Sequence, residues 1–279
     1  MRLRSLLFVP GDRPERMEKA LGLNADALIL DLEDSVAPKA KPHARQAVAN
    51  FLRSAERRTK LLVRINPLDS GFLDEDLAAV PEARPDGLVL PKAEGNMSVE
   101  ALAGKAPGIP ILPIATETPA AIFRIGTYAS VRAHLFGLTW GAEDLPAAIG
   151  ALGARDETGR YTSPYELVRS LTLFGAHAAG VPAIETIYPA IPDLAGLAAY
   201  AQRARFDGFN GMMAIHPSQI PIINQAFTPT AEELARAQTV IEAFAANPGK
   251  GTLQIDGRMV DAPHLKQAKR LIESGKDLP

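Results

Sequence analysis

Eight short apolar runs alternate with segments of helical character along most of this chain. The runs cover residues 6–9, 27–32, 61–65, 88–90, 111–115, 133–138, 183–188 and 211–215. Continuous apolar runs are typical of strands buried on both faces, and alternating strands and helices predict an α/β fold with a parallel sheet. Eight such units in about 220 residues favour a closed (β/α)8 TIM barrel over an open doubly wound sheet.

Several functional classes are disfavoured by the sequence. No Gly-x-Gly-x-x-Gly motif follows the first run, which argues against dinucleotide binding. The net charge of −2 predicts no nucleic-acid partner, and the lack of cysteine excludes disulfides, thiolate nucleophiles and zinc–cysteine sites. The N-terminal apolar run is too short for a signal peptide, and no apolar stretch is long enough to span a membrane. We therefore expect a cytoplasmic protein with no membrane partner.

The pattern changes after residue 226, where two helical segments replace the alternation. A helix is predicted over 231–246, a break over 247–251 and a final helix from about residue 263. We therefore divide the chain into a barrel domain, 1–228, and a C-terminal helical extension, 229–279. The extension is too short to fold alone and is expected to pack on the barrel, on a neighbouring subunit or over the site.

Two acids follow neighbouring strand candidates and form the strongest candidate site. Glu117 comes just after the fifth run, and Asp144 follows the sixth. Because the carboxyl ends of barrel strands lie on one face and carry the chemistry, these acids are expected to bind a metal. Oxygen ligands without nearby histidine or cysteine favour Mg²⁺ over zinc. The alternative is that both acids are solvated in loops, or that one pairs with Arg64.

Other polar residues also fall at strand ends. Arg64 is suited to bidentate recognition of a substrate carboxylate, with an ion pair to Asp31, Glu33 or Asp34 as the alternative. Lys92 is expected either to stabilise an anion or to cover the rim, and His216 to be structural rather than a base.

Three further residues have weaker local signals. Arg13 and Arg16 near the first helix N-terminus could contact cofactor phosphates, although exposed helix arginines are the commoner explanation. Asp261 precedes the last helix, where an N-cap is the alternative to a functional role.

The chain resembles the citrate lyase β-subunit-like (CitE-like) proteins of the HpcH/HpaI aldolase/citrate lyase superfamily, which also includes malyl-CoA and citramalyl-CoA lyases. The motifs that carry the resemblance are Leu-Phe-Val-Pro-Gly-Asp-Arg-Pro-Glu-Arg at 7–16, Leu-Asp-Leu-Glu-Asp at 30–34, Val-Arg-Ile-Asn at 63–66, Leu-Pro-Lys-Ala-Glu at 90–94, Gly-Ala-Glu-Asp at 141–144 and Ile-His-Pro-Ser-Gln at 215–219. The resemblance covers nearly the whole chain, and the motifs together are highly specific.

The resemblance implies a (β/α)8 barrel, a Mg²⁺ site, a homotrimer or hexamer, and cleavage of a 3-hydroxyacyl thioester into acetyl-CoA and a 2-oxo acid. It assigns the metal to Glu117 and Asp144, and the keto acid to Arg64. Asp261 matches a catalytic aspartate that comes from a neighbouring subunit. The motif at 141–144 makes Gly141, Ala142 and Glu143 candidates for substrate binding.

One departure bears on the reaction. Glu33 is followed by Asp34-Ser35 rather than by the histidine that serves as base in the free-acid aldolases, which favours the thioester lyases. The alternatives are a citryl–acyl-carrier-protein lyase subunit of a citrate lyase complex and a non-catalytic keto-acid or acyl-CoA binding protein.

Overall fold

The computed structural model describes residues 2–56 and 58–275. They form two compact units, one from Leu3 to Asn224 and the other from Gln225 to the end of the described chain together with Arg2. In these described ranges, no helix has the length and apolar character needed to cross a membrane.

The first unit contains eight parallel strands. They are β1 (Ser5–Pro10), β2 (Ala27–Asp31), β3 (Lys60–Arg64), β4 (Gly87–Leu90), β5 (Ile111–Pro113), β6 (Leu138–Thr139), β7 (Ala183–Glu185) and β8 (Gly211–Ala214). Their order is β5-β4-β3-β2-β1-β8-β7-β6. Parallel bridges Ile111–Leu135 and Ile114–Thr139 then join the two ends of the sheet. The (β/α)8 barrel prediction is confirmed.

Helices follow the strands in chain order. Those of the first unit, including the one that crosses into the second, are α1 (Pro14–Ala20), α2 (Lys41–Ser54), α3 (Leu73–Ala79), α4 (Asn96–Lys105), α5 (Pro119–Ile122), α6 (Asp144–Ile149), α7 (Ser163–Ala179), α8 (Leu194–Asp207) and α9 (Gln219–Ala226). Proline in the first turn begins several of them, because its fixed φ suits a position that needs no hydrogen-bond donor.

Alternate strand residues form a continuous apolar core. This cluster contains Leu3, Leu6, Ala27, Ile29, Leu62, Val89, Leu112, Ile114, Phe136, Ile184 and Met213. The residues between them, such as Leu28 and Leu30, are equally buried. Because both faces of the strands are covered, each fully buried leucine or isoleucine side chain contributes about 1.5–3 kcal/mol.

The predicted sixth strand, 133–138, was wrong. β6 covers only Leu138–Thr139, and the preceding segment forms a 3₁₀ helix, Ile125–His134. Ile125, Tyr128 and Val131 are its buried residues. The spacing of Ile125 and Tyr128 matches the three-residue period of a 3₁₀ helix. At Val131 the backbone leaves the helical region, with φ −113° and ψ 19°, so that a kink divides the segment. The seventh strand is likewise shorter than the predicted 183–188.

The second unit contains the predicted helix α10 (Ala231–Ala246) and a final helix, α11 (Ala262–Gly275). Thr230 and Glu233 form a capping box at the start of α10. Between the two helices lies an antiparallel hairpin of β9 (Thr252–Ile255) and β10 (Arg258–Asp261), which was not predicted. Its turn residues Asp256 and Gly257 both have positive φ, as a two-residue hairpin requires.

Candidate active site

The carboxyl ends of the barrel strands surround a cavity of about 400 Å³. Its lining residues are Phe8, Pro10, Asp31, Asp34, Ser35, Arg64, Ile114, Glu117, Gly141, Ala142, Glu143, Asp144, Thr186, Ile187, Met213 and Ile215. Six predicted site residues therefore meet at one cavity: Arg64, Glu117, Gly141, Ala142, Glu143 and Asp144. The same lining includes isoleucine, phenylalanine and methionine side chains.

Glu117 lies between β5 and α5 and is buried, with only 6% of its surface exposed. The backbone N–H of Lys92 donates a 2.6 Å hydrogen bond to its Oε2 atom. Burial raises the pKa of Glu117 to about 8; the Lys92 hydrogen bond opposes this rise, whereas the charges of Asp144 and Glu33 add to it. An ionised carboxylate in this position is costly without a cation beside it.

Asp144 is the first residue of α6, and the segment that connects it to β6 contains Gly141. The hydroxyl of Thr116 donates to the carbonyl of Gly141 at 2.8 Å and accepts from its N–H at 3.1 Å. This pair of bonds connects the segment that holds Glu117 to the segment that leads into Asp144. The two acids therefore reach the same cavity from neighbouring barrel units.

The two acids fit a small, hard divalent cation. Their oxygens are the ligand type that Mg²⁺ prefers, and Mg²⁺ is commonly held by one or two carboxylates with water or substrate completing its shell. Within the part of the chain that the structure describes, no group of three or more histidine, cysteine, aspartate or glutamate side chains is arranged to hold a metal. A fully protein-ligated metal cage is therefore not the kind of site found among these residues.

Arg64 is held by carboxylates. Its Nε and Nη2 atoms donate to the two oxygens of Asp31 at 2.6 and 2.7 Å, because the β2–β3 register places these residues side by side. Nη1 lies 2.9 Å from Oε2 of Glu33, and the guanidinium carbon is 4.9 Å from the ring centre of Phe8. The ion pair that the sequence offered as an alternative is thus present, and the same side chain lines the cavity.

The pKa shifts around Arg64 follow from this arrangement. Burial raises the pKa of Asp31, but the hydrogen bonds and charge of Arg64 outweigh it and leave the pKa below its ordinary value. Burial raises the pKa of Glu33 to about 7, against the opposing charge of Arg64. Asp31 therefore stays ionised and orients Arg64, whereas the carboxyl group of Glu33 is partly protonated and partly ionised near neutral pH.

Lys92 follows β4 and lies between the acids. Its Nζ atom is 3.4 Å from Oε1 of Glu33 and 3.4 Å from Oδ1 of Asp144. Burial lowers the pKa of Lys92, but the charges of Glu33, Asp144 and Glu117 more than offset this and raise it. Lys92 is thus a cation among the acids rather than a side chain that only covers the rim.

A buried ionic network at the end of β7 was missed by the sequence analysis. Glu185, at the end of β7, accepts hydrogen bonds from Nε1 of Trp140 at 2.5 Å and from Nε of Arg169 at 2.7 Å. Nη1 of Arg169 also donates to Asp207 at 2.7 Å. The signals that pointed to this network were an acid inside the seventh apolar run and an arginine within the mainly apolar helix α7.

Three candidates lie outside the cavity lining. Arg13 and Arg16 are exposed at the start of α1, with Nε of Arg13 3.6 Å from Oδ1 of Asp12. Asp261 ends β10 in the second unit, where its Oδ1 lies 2.5 Å from Nδ1 of His264. Their roles toward a cofactor or a neighbouring subunit stay predictions. His216 is exposed, with its Nδ1 atom 2.8 Å from Oγ of Ser218, and its structural role stays a prediction.

Comparison with known proteins identifies the family. A family model described as HpcH/HpaI aldolase/citrate lyase matches residues 4–217. The chain is 34% identical over 274 residues to a Cereibacter sphaeroides protein named (3S)-malyl-CoA thioesterase, covering 96% of this chain and 93% of that protein.

Two solved structures from Mycobacterium tuberculosis are similar to this chain. Protein CitE in complex with magnesium, acetoacetate and coenzyme A has 34% identity and a TM-score of 0.86, covering 98% of each chain. Citrate lyase β subunit complexed with oxaloacetate and magnesium has 35% identity and a TM-score of 0.74, covering 81% of this chain and 96% of that one. The predicted lyase chemistry and magnesium cofactor are confirmed at the level of the family. The family model matches most of the barrel, and relatives above 30% identity cover almost the whole chain. This chain therefore belongs to the HpcH/HpaI aldolase/citrate lyase family.

Proposed function

We propose that the protein is a Mg²⁺-dependent carbon–carbon lyase acting on a 3-hydroxyacyl-CoA thioester such as malyl-, citramalyl- or citryl-CoA. The products are acetyl-CoA and a 2-oxo acid, and the reverse condensation uses the same groups. The observation that carries the proposal is that Glu117, Asp144 and Arg64 line the same cavity. Solved relatives that hold magnesium with coenzyme A or oxaloacetate support it.

Glu117 and Asp144 would hold the Mg²⁺ ion through carboxylate oxygens. When bound, the ion supplies Lewis-acid polarisation of the oxygens of the keto-acid portion. Arg64 binds the substrate carboxylate, and its bonds to Asp31 keep the guanidinium in one orientation. The backbone at Gly141 and Ala142, together with Glu143, forms the adjacent wall that positions the substrate.

The cleaved bond joins the carbinol carbon to the α-carbon of the thioester. The hydroxyl gives its proton to solvent water as its carbon becomes a carbonyl, and the electron pair of the broken bond forms the thioester enolate. The enolate then takes a proton at its α-carbon, a step that we assign to Asp261 of a neighbouring subunit. The apolar side chains of Ile114, Ile187 and Met213 exclude water from this reactive species.

Arg13 and Arg16 complete the proposal as contacts for the coenzyme A phosphates, since both are exposed cations near the barrel mouth end of β1. We further propose a homotrimer or hexamer, because the assignment of Asp261 needs a second copy of the chain. A cytoplasmic location stays a prediction. Light scattering of the purified protein tests the oligomer, and a monomer at working concentration would contradict it.

Thioester hydrolysis is a second candidate, because a relative of 34% identity is named (3S)-malyl-CoA thioesterase. Here water adds to the thioester carbonyl, the carbon–sulfur bond breaks, and free coenzyme A leaves with malate. The same Arg64 and metal ligands would hold the malyl group. Two further candidates are a lyase subunit that acts on an acyl carrier protein and a non-catalytic binder of keto acids or acyl-CoA.

A single assay separates the CoA-dependent lyase from the thioesterase. Malyl-, citramalyl- and citryl-CoA are incubated with the protein and Mg²⁺, and 2-oxo acid and free thiol are measured in the same sample. A lyase forms 2-oxo acid without free thiol, whereas a thioesterase releases thiol without 2-oxo acid. The chain has no cysteine, so a thiol reagent gives no protein background. Turnover that is unchanged by EDTA or by Glu117→Gln would contradict the metal-dependent proposal.

A further inference from the structure

Lys92 contacts both proposed metal ligands through different parts of the residue. Its backbone N–H donates to Glu117 at 2.6 Å, and its ammonium group lies 3.4 Å from Asp144. The same ammonium is 3.4 Å from Glu33, the acid that also meets Arg64. One residue therefore connects three acids that come from three different barrel units.

The backbone of Lys92 is in the left-handed region, with a φ of 51°. A side chain with a Cβ atom rarely adopts this conformation, and outside glycine it persists where surrounding contacts hold it, often at functional sites. At Lys92 these contacts are the ones to Glu117, Asp144 and Glu33. The unusual backbone thus serves the placement of one N–H and one ammonium group beside the acids.

A fixed positive charge at this position has opposite effects on the binding of a metal ion and on the binding of an anionic substrate. It repels an incoming metal cation and attracts an anion, and both effects are strong where charges lie a few ångströms apart with little water between them. The side chain of Lys92 is 37% exposed and that of Glu33 only 7%, so the cluster is partly shielded. Lys92 already supplies part of the positive charge that a metal ion would bring.

We propose that Lys92 is a built-in counter-ion that makes metal binding depend on the anionic substrate. Without substrate, the ammonium neutralises Glu33 and Asp144 and weakens metal binding. An anionic keto acid in the cavity offsets the repulsion between the Lys92 ammonium and the metal ion. The metal ion and the anion therefore bind together more tightly than either binds alone. Such coupling is reciprocal, because each ligand changes the affinity of the other by the same factor. The inference rests on the proposed metal site and adds a dependence between its ligands.

The test measures Mn²⁺ binding to the purified full chain by electron paramagnetic resonance, with and without oxalate as the anion. In the wild type we expect oxalate to tighten Mn²⁺ binding. In Lys92→Met we expect Mn²⁺ alone to bind roughly tenfold more tightly, since one nearby unit charge is removed. The effect of oxalate on Mn²⁺ affinity should become smaller in the same variant.

Two matched variants separate charge from backbone. Lys92→Arg keeps the charge and should retain the wild-type values. Lys92→Gly removes the charge but accepts the left-handed conformation without strain, so it should behave as Lys92→Met even if the methionine variant is poorly folded. Wild-type or weaker Mn²⁺ affinity in Lys92→Gly, with an unchanged oxalate effect, would overturn the inference.

Failure of the underlying metal site gives a different result. Glu117→Gln and Asp144→Asn should each abolish tight Mn²⁺ binding. If they leave it intact, the proposed metal site is wrong. If they abolish it while the uncharged Lys92 variants match the wild type, only the counter-ion inference fails.

Discussion

The backbone of Gly141 lies directly against the carboxylate side chain of Glu117. A Cβ atom built at position 141 would be 2.9 Å from Cγ and 3.0 Å from Oε1 of Glu117. Contacts this short do not occur between real side chains without movement, and the surrounding core leaves little room for it. The glycine that ends one barrel unit therefore creates the space for the acid of the unit before it.

Gly141→Ala should displace Glu117 and weaken Mg²⁺ binding by about 10–100-fold, the range found when residues that orient metal ligands are altered. Isothermal titration with Mg²⁺ measures this loss. Gly104→Ala is a matched control, because its added Cβ meets nothing within 4 Å and it lies inside helix α4. The control should bind Mg²⁺ normally. Equal affinity in both variants would show that Glu117 does not need this space.

The metal-free protein should lose stability as the pH rises from about 5 to 8. Burial raises the pKa of Glu117 to about 8 from 4.5, so over this range the folded protein holds a proton that the unfolded chain has released. Stability therefore falls with rising pH, and it is greatest below the unfolded pKa. Melting temperatures in EDTA across this range measure the effect.

Glu117→Gln isolates that contribution, because glutamine cannot ionise and keeps the shape of the side chain. Its melting temperature in EDTA should fall less than that of the wild type between these pH values. Saturating Mg²⁺ should restore the wild type at pH 8 but not the variant. Parallel pH curves for the two proteins would contradict a raised pKa at Glu117.

The buried pair between Glu185 and Arg169 should be important for stability. Its two side chains are 0% and 3% exposed, so Glu185→Gln leaves the arginine without its closest buried counter-charge. We expect the free energy of unfolding to fall by about 3–5 kcal/mol. Urea unfolding measures the change, and the fluorescence of Trp140, the single tryptophan, reports directly on its bond to residue 185.

An exposed ion pair provides the control for that experiment. Lys105 and Asp74 lie 2.9 Å apart with side chains 51% and 86% exposed. Lys105→Ala should cost less than about 1 kcal/mol, because water already solvates both charges. If Glu185→Gln costs no more than this control, the buried network is not what holds Trp140 and the segment that follows it.

Asp261→Ala should leave keto-acid binding intact and slow α-proton exchange of acetyl-CoA by about 10²–10⁴-fold, the usual contribution of a general acid or base. Exchange into deuterated water, followed by mass spectrometry, measures this step without the full reaction. Unchanged exchange would leave Asp261 with its bond to His264 and its position before α11 as its only roles.

Mixing two inactive variants tests whether Asp261 acts across subunits. Hybrid oligomers of Asp261→Ala with Glu117→Gln should regain activity at about a quarter of the sites. At those sites the Asp261→Ala subunit supplies an intact Glu117, and its Glu117→Gln neighbour supplies an intact Asp261. Mixtures of Asp261→Ala with Asp261→Asn are the control and should stay inactive. Absence of recovery in hybrids whose formation is verified would place Asp261 in its own subunit's site or outside any site.

Much of the site was predictable from local pattern. Glu117, Asp144 and Arg64 each follow an apolar run, and parallel strands bring all such positions to one end of the barrel. The sixth strand was misplaced because the first residues of the run at 133–138 belong to the end of the 3₁₀ helix Ile125–His134, and a short apolar run does not by itself separate helix from strand.

By itself, the sequence determined the barrel, the family and the acids and arginine at the strand ends. The reason is that a strand buried on both faces and a polar residue at its end can both be recognised from a short run of consecutive residues. Tertiary structure alone decided that Gly141 makes room for Glu117, that Lys92 reaches two further acids, and that Glu185 holds Trp140 and Arg169. These relationships join residues of separate barrel units. They depend on strand register and ring closure, which no local pattern specifies.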